Sequence, residues 1–224
     1  MTRAVGLGII GLILLASALA VAARLRSALL QEPATELQEA RAAVYRLSDQ
    51  AADLRHAGNY PEARRIAEEA LALAEKSLGP DDPDTAASLN NVGVLCQYMG
   101  DLPAARALFE RALAIWEKAL GPEHPDTATS LNNVAFLIQA MGDLPAARPL
   151  YERALAICEK TLGPDHPDTA TSLNNLAHLF QAMGDLPAAR PLFERALAIT
   201  EKALGPDHPD TAWSLNNLAG LLQA

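Results

Sequence analysis

Aromatic residues and cysteines are scarce in this chain. Aromatic residues make up 4% of its 224 positions, although half of the positions are hydrophobic, and alanine and leucine supply much of that half. This composition favours closely packed helices over a β-sandwich. Cys96 and Cys158 are far apart and show neither a CxxC nor a Cys/His spacing, so a disulfide framework has no support. We expect both to be small buried hydrophobic residues.

The chain also lacks a surplus of positive charge and the short motifs of common catalytic sites. Its formal net charge is −9, which argues against nucleic acid as a partner because phosphate neutralisation needs clustered Lys and Arg. The recurring serines have no histidine and carboxylate placed to activate them, and no glycine-rich phosphate loop occurs. We therefore predict that the protein is not an enzyme and needs no cofactor.

An uncharged apolar run occupies residues 4–23. As a helix it would be about 30 Å long, which matches the hydrocarbon core of a bilayer. One interpretation is a single-pass membrane anchor over residues 1–26, and the other is a signal peptide that is cleaved on export to the periplasm. The anchor is favoured because the run is long for a signal peptide and because Arg24 and Arg26 follow it. Residues 27–33 read as a linker.

One 42-residue unit repeats along most of the remaining chain. Residues 121–162 and 163–204 differ at only seven positions, and diverged copies lie on both sides of them. The period is fixed by recurring Gly-Pro pairs, which begin at Gly79, Gly121, Gly163 and Gly205. A fixed period of this length is typical of a stacked-repeat architecture.

Each unit reads as a pair of helices, here called A and B. Pro125 suits the first turn of helix A, Gly142 supplies the turn after it, and Asp143 is a good N-cap for helix B. Pro149 and Pro191 fall inside helix B, where a missing backbone donor would normally kink a helix. We expect a mild bend there and not a break.

Two motifs in these units match a known repeat pattern. Helix B carries an alanine, an aromatic residue four positions later and a second alanine three positions after that, as in Ala147, Tyr151 and Ala154. Helix A carries a small residue at one fixed position: Gly93, Ala135, Ala177 and Ala219. The chain therefore resembles tetratricopeptide repeat proteins. The LGPxHPD loop and the SLNNxAxL helix resemble the kinesin light chain-like type and its bacterial relatives, without the kinesin coiled coil.

This resemblance implies an all-α fold, a right-handed superhelical solenoid of antiparallel helix pairs. The array is expected over residues 34–224. Its pairs are expected at about 34–78, 84–120, 125–162 and 167–204, with a half repeat at 209–224. The half repeat lacks a B helix, so we expect Leu215, Leu218, Leu221 and Leu222 to be partly uncovered. That end could belong to a longer array or dock onto another molecule.

In tetratricopeptide arrays the A helices line a concave groove that binds peptides. The stripe of helix A opposite the core is spaced by three and four residues, and its amides offer donors and acceptors to a peptide backbone. The resemblance implies a peptide-binding role for both members of each Asn pair; bridging of neighbouring helices is the alternative. The predicted site residues are Asn90, Val94, Gln97, Asn132, Phe136, Gln139, Asn174, His178, Gln181, Trp213 and Asn216.

Variation between copies supports a role for this stripe in ligand choice. The position of Phe136 reads Val94, His178 and Gly220 in the other copies, whereas core differences conserve bulk. The stripe is neutral except for Arg55, so a clamp for acidic C-termini is disfavoured. His124, His166 and His208 lie beside aspartates but in loops one repeat apart, so we predict no metal site.

The sequence therefore predicts a protein–protein interaction scaffold that binds a partner peptide in the groove of the array. Two alternatives stay open. One is a membrane-associated structural array that self-associates through the uncapped C-terminal helix. The other is the sensor arm of a larger signalling protein. Residues 4–23 are the predicted membrane contact, and the ligand's identity is open.

Overall fold

The computed structural model describes residues 35–223, and this part of the chain consists of helices joined by short connections, without strands. Helix α1 occupies residues 35–56. The other helices are α2 (Tyr60–Ser77), α3 (Pro83–Tyr98), α4 (Leu102–Ala119), α5 (Pro125–Ala140), α6 (Leu144–Thr161), α7 (Pro167–Ala182), α8 (Leu186–Leu204) and α9 (Pro209–Leu222). The odd-numbered helices are the A helices and the even-numbered ones are the B helices.

Helices α3, α5 and α7 each pack against the B helix of their own repeat, and each B helix packs against the next A helix. Consecutive A helices α5, α7 and α9 also touch directly. The helix contacts therefore run within a repeat or between adjacent repeats, as in a solenoid. The predicted all-α array of stacked helix pairs is confirmed.

The start of each A helix is fixed by its loop. Pro125 opens α5 as predicted, and the Nδ1 of His124 caps the helix by accepting the N–H of Asp126 at 3.2 Å. The buried Thr127 donates its hydroxyl to the carbonyl of Gly121 at 3.0 Å, which ties the loop to the helix. The glycine, proline and threonine recur at the starts of α3, α7 and α9, with Asp82 in place of the histidine at α3, so these A helices start in equivalent places.

The turn between helices A and B follows the prediction. Gly142 has a φ of 91°, which an L side chain rarely adopts, and Asp143 accepts the N–H of Ala146 at 3.2 Å. Helix α6 runs without a break across Pro149. The carbonyl that loses its partner there is that of Pro145, and both prolines are exposed, so water can replace the missing donor. The expected mild bend stays a prediction.

The core is built from an aromatic residue on each B helix and a small residue on the A helix of the same repeat. Phe109, Tyr151 and Phe193 are at most 1% exposed. A Cβ added to Gly93 would lie 2.6 Å from Cε1 of Phe109, so nothing bulky fits between the two helices. Ala135 takes the same place against Tyr151 in the next repeat.

The two cysteines are buried in this core as single thiols. Cys96 lies between the first and second helix pairs, and Cys158 packs against Ala128 and Leu131. Burial raises the pKa of both thiols, and a protonated thiol is a poor nucleophile and a poor metal ligand. Their predicted role as small hydrophobic residues is confirmed.

Ion pairs form both between repeats and within them. In α4, α6 and α8 an arginine meets a glutamate of the previous B helix, and a lysine in the last turn meets an acid in the loop that opens its own 42-residue unit. The arginine pairs are Arg111–Glu75, Arg153–Glu117 and Arg195–Glu159. The lysine pairs are Lys118–Asp81, Lys160–Glu123 and Lys202–Asp165.

Two expectations concern the ends of the chain. The predicted anchor or signal helix at residues 4–23 and the linker at 27–33 lie outside the described residues. Within 35–223, no helix is both long and apolar enough to cross a membrane. On α9, Leu215 and Leu222 are 55% and 63% exposed. The expectation for Leu221 was wrong, because it faces α8 and is buried against Phe193.

Candidate functional site

The predicted stripe residues of α5, α7 and α9 share one side of the array, which the B helices leave uncovered. We call this side the A face. Phe136 on α5 and Trp213 on α9 are each 44% exposed, although both rings are largely apolar. They lie at opposite sides of α7, which carries His178 between them.

A cavity of about 480 Å³ opens between these side chains, and we call it the aromatic cavity. Its volume falls in the range of sites that bind small molecules or side chains. It is lined by Phe136, Gln139, Tyr151, Asn175, His178, Gln181, Ala182 and Trp213. The structure thus brings five of the predicted site residues together. No Asp, Glu, Lys or Arg lines this cavity, so it offers apolar surface with amide groups at its edge.

His178 belongs to the core as much as to the surface. Its ring meets Phe193 edge-on at 4.9 Å and Trp213 at 5.9 Å between ring centroids. Burial lowers the pKa of His178, and hydrogen bonds to Gln181 and Asn217 only partly offset this effect. The imidazole is therefore neutral at neutral pH, and the aromatic cavity carries no charge.

The paired asparagines tie consecutive A helices together. Asn132 donates to the hydroxyl of Ser172 and Asn174 donates to that of Ser214, both at 3.1 Å. Asn133 donates to the Oδ1 of Asn90 at 2.7 Å. The bridging alternative is therefore realised for these amides. Asn174 is only 1% exposed, so a ligand can reach it only through an adjoining cavity.

The remaining predicted residues lie apart from the aromatic cavity. Asn90 and Val94 line a separate cavity of about 300 Å³ between α1 and α3, beside Asp49 and Arg55. Gln97 is half-buried at the end of α3, and Asn216 is exposed on α9. Nine of the eleven residues predicted as one stripe thus line four different cavities along the array, and Gln97 and Asn216 are not among the lining residues of these four.

Sequence reasoning missed two contributors to the aromatic cavity. Tyr151 was assigned to the core, and its side chain is indeed 1% exposed, yet it lines the cavity from α6. Ala182 ends α7 and was not considered. Helical periodicity places Tyr151 correctly on the buried side of helix B. It cannot show that the space beside this residue stays open.

The loop histidines have a structural role. His124 Nδ1 lies 3.5 Å from Asp126 Oδ2, but the same nitrogen already accepts a backbone N–H. No group of three or more His, Cys, Asp or Glu suited to a metal ion occurs among the described residues. The arrangement is that of a helix cap.

Comparisons with known proteins agree with this geometry. The family model described as "Tetratricopeptide repeat" matches residues 38–118, 87–137, 126–202 and 173–224. A search of curated proteins gave no significant match.

Two solved structures illustrate the similarity. One shows kinesin light chain nearly identical TPR-like repeats from Podosopora anserina, with 31% identity over 82% of this chain and 87% of that chain, and a TM-score of 0.66. The other is BtubC (BKLC) from P. vanneervenii, with 25% identity over 86% of this chain and 81% of that chain, and a TM-score of 0.68. The chain thus belongs to the tetratricopeptide repeat family, and its repeats are of the kinesin light chain-like type.

Proposed function

We propose that this protein binds an extended segment of a partner protein along the A face. Tetratricopeptide repeats generally mediate protein–protein interaction, and the aromatic cavity is the observation that supports a site here. Two aromatic side chains that could pack against core residues are instead exposed at its rim. An uncharged side chain of the partner would cover them and gain about 25 cal/mol for each Å² of apolar surface removed from water.

The amide groups around the cavity suit a peptide backbone. Gln139 and Gln181 offer both donors and acceptors without a charge that would select one side-chain type. The Oε1 of Gln139 is buried without a hydrogen-bond partner within the described structure. A peptide N–H that reached this oxygen would remove an unfavourable unpaired acceptor. The face would thus combine an apolar anchor point with backbone recognition.

The test selects peptides from a random library on the full chain and compares their binding to two variants. Phe136→Ala removes the exposed ring from the cavity rim. Met141→Ala is the matched control, because Met141 is 53% exposed at the end of the same helix but does not line the cavity. We expect Phe136→Ala to weaken the binding of the selected peptides roughly tenfold. This is the loss expected when a partly buried aromatic ring is removed from an interface.

Both variants should melt at the temperature of the parent protein, because both side chains are largely exposed. His178 is a poorer probe, since its ring packs on Phe193 and its removal would also disturb the core. Equal binding by the two variants would overturn the proposal that this cavity anchors a peptide.

A further inference from the structure

Two polar cavities of the same kind lie between consecutive A helices, near the starts of those helices. The first, of about 200 Å³, lies between α5 and α7, and the second, of about 360 Å³, lies between α7 and α9. We call them the junction cavities. Thr129, Asn132, Cys158, Asp168 and Ser172 line the first, and the residues 42 positions further on line the second.

A single position on helix B accounts for the space. It holds Trp116 in α4, Cys158 in α6 and Thr200 in α8. Trp116 is 5% exposed and donates its indole N–H to the carbonyl of Pro83 at 3.2 Å. A thiol or a hydroxyl at this position is far smaller than an indole. The later junctions therefore keep room that a buried ring takes up in the earlier repeat.

The junction between α1 and α3 shows what fits such a place. Arg41 and Tyr45 of α1 occupy the positions equivalent to Pro125 and Thr129 of α5. The guanidinium of Arg41 pairs with Asp82 at 2.9 Å and with Asp84 at 3.0 Å. Tyr45 donates its hydroxyl to Asp84 at 2.9 Å. The chain's own arginine thus fills, in the first junction, the place that stays open in the later ones.

The equivalents of Asp84 in the later junctions lack this partner. Among the described residues, no Lys or Arg pairs with Asp168 or Asp210, and their side chains are 68% and 67% exposed, against 17% for Asp84. The nearest ring nitrogen, Nδ1 of His166 or His208, already accepts a backbone N–H and has no proton to donate. Each junction cavity therefore presents an unpaired carboxylate.

A residue with a buried, unpaired acceptor lies in the wall of each junction cavity. Asn132 and Asn174 each donate a hydrogen bond from the side-chain amide nitrogen to a serine on the next A helix. Their Oδ1 atoms are buried and have no hydrogen-bond partner within residues 35–223. Asn174 is 1% exposed and lines the second cavity. A buried acceptor without a donor is unfavourable and rare. A ligand that donates several hydrogen bonds would therefore suit these cavities.

A helix N-terminus favours negative charge, but at these cavities the chain's own carboxylates already supply it. Asp168 and Asp210 lie in the first turns of α7 and α9, and the loop histidines cap the backbone there. An anion would have to sit beside these carboxylates, which is repulsive. A cation with many donors suits the sites better, and guanidinium offers five donors in a plane.

We propose that each junction cavity binds the guanidinium group of an arginine side chain from the partner segment. This proposal rests on the proposed function and names the side chains that the A face would select. The second site should be the stronger, because Trp213 lines it and its ring can stack on a guanidinium. The chain's own negative charge would also attract a basic segment.

The repeat also sets the spacing of the two arginines. Neighbouring A helices in contact are roughly 10 Å apart, and a chain in the polyproline II conformation advances about 3.1 Å per residue with three residues per turn. Residues three positions apart in that conformation lie on one face about 9 Å from each other, so their side chains can enter consecutive cavities. The motif expected in the partner is Arg-x-x-Arg.

The probe is a synthetic peptide, Ac-Ala-Arg-Ala-Ala-Arg-Ala-NH2, titrated into the full chain by calorimetry. Asp168→Asn and Asp210→Asn should each weaken its binding roughly tenfold, the scale of one charge-assisted hydrogen bond. Asp126→Asn is the matched control, since it removes the same charge from the junction that Trp116 fills, and it should leave binding unchanged. A peptide with citrulline in place of arginine should bind at least tenfold more weakly.

Filling a cavity supplies an independent check. Cys158→Trp copies the arrangement of Trp116 and should abolish binding at the first site, while the melting temperature stays the same or rises. The proposal is overturned if Asp126→Asn weakens binding as much as Asp168→Asn and Asp210→Asn do. It is also overturned if the citrulline peptide binds equally well, or if no saturable binding is seen up to roughly 1 mM peptide.

These failures can be told apart from failure of the proposed function. Phe136 lines only the aromatic cavity and Asp168 only the first junction cavity. Library peptides that depend on Phe136 but show no preference for arginine would overturn the arginine sites and leave peptide binding in place. If peptide binding depended on neither Phe136 nor arginine, the proposed function would be overturned as well.

Discussion

At the scale of single residues, the four residues at one equivalent position of helix A lie in four different environments. Val94 lines the cavity beside α1, Phe136 is exposed at the rim of the aromatic cavity, and Gly220 is exposed on α9. His178 at the same position turns onto Phe193 and bonds to Asn217. The repeat keeps the backbone constant, so the side chain alone decides whether this position faces solvent or packs on the core.

His178 should make the stability of the array depend on pH. Burial lowers its pKa in the folded state, so the unfolded chain takes up this proton first as the pH falls through the ordinary range near 6.5. The free energy of unfolding should therefore decrease as the pH is lowered from 7 to 5. Thermal melts of the parent and of His178→Phe, which copies the residue of the previous repeat, check this.

The variant should lose part of this pH dependence. His56→Gln is the control, because His56 is exposed on α1, and it should melt like the parent at both pH values. A His178→Phe protein with an unchanged pH dependence would contradict the assigned burial effect.

The residues at the site could be predicted only in part. The position of Phe136 could be predicted because the copies differ there, and the exposure of its ring agrees with that prediction. The burial of Asn174 could not be predicted, since a helical period gives the direction of a side chain but not the distance to the next A helix. That distance decides whether an amide faces solvent or reaches Ser214.

At the scale of the element, the B helices tolerate proline because of where it falls. Pro149 lies only one turn into α6 and is exposed, so the helix loses one hydrogen bond that water can replace. The equivalent residue of α4 is Ala107, and both helices have 18 residues. The proline therefore changes the stability of the helix and not its extent.

Pro149→Ala should raise the free energy of unfolding by about 1 kcal/mol, because it restores a backbone donor at a solvent-facing position. Urea denaturation of the parent and the variant measures the change. Pro145→Ala is the matched control in the same helix. Pro145 lies in the first turn, where proline is favourable, so this variant should gain nothing. Equal gains from the two variants would contradict this explanation.

The helices themselves were largely predictable from local chemistry. Pro125, Gly142 and Asp143 mark the ends of elements through backbone geometry that hardly depends on the rest of the fold. The histidine cap of α5, α7 and α9 was harder to foresee, since Asp, Asn, Ser and Thr are the usual caps. His124 performs this role with a ring nitrogen.

At the scale of the whole molecule, stability is distributed along a line. The helices contact others of the same or an adjacent repeat, so no single core holds the array together. Phe193 packs between α7, α8 and α9, and its burial affects those helices alone. The stacking itself was predictable from the 42-residue period, whereas the open space within a junction depended on Trp116, Cys158 and Thr200 together.

Phe193→Ala should therefore unfold one part of the array before the rest. Removal of a fully buried phenylalanine costs about 3–5 kcal/mol, which is comparable to the stability of many domains. Amide hydrogen exchange should show lost protection in α7, α8 and α9, while α2, α3 and α4 keep theirs. Phe109→Ala is the control and should shift the loss towards α3 and α4. Uniform loss of protection along the chain would contradict this prediction.

The ion pairs between repeats make the units interchangeable. Glu117 receives Arg153 just as Glu159 receives Arg195, so each unit carries an acid for its successor and a base for its predecessor. Duplication or deletion of one unit in the gene would leave every charge at the new boundary matched. The length of the array can thus change in steps of one repeat without a loss of stability at the boundary between repeats. Under the proposed function, such a step would change the length of the partner segment that the A face can bind.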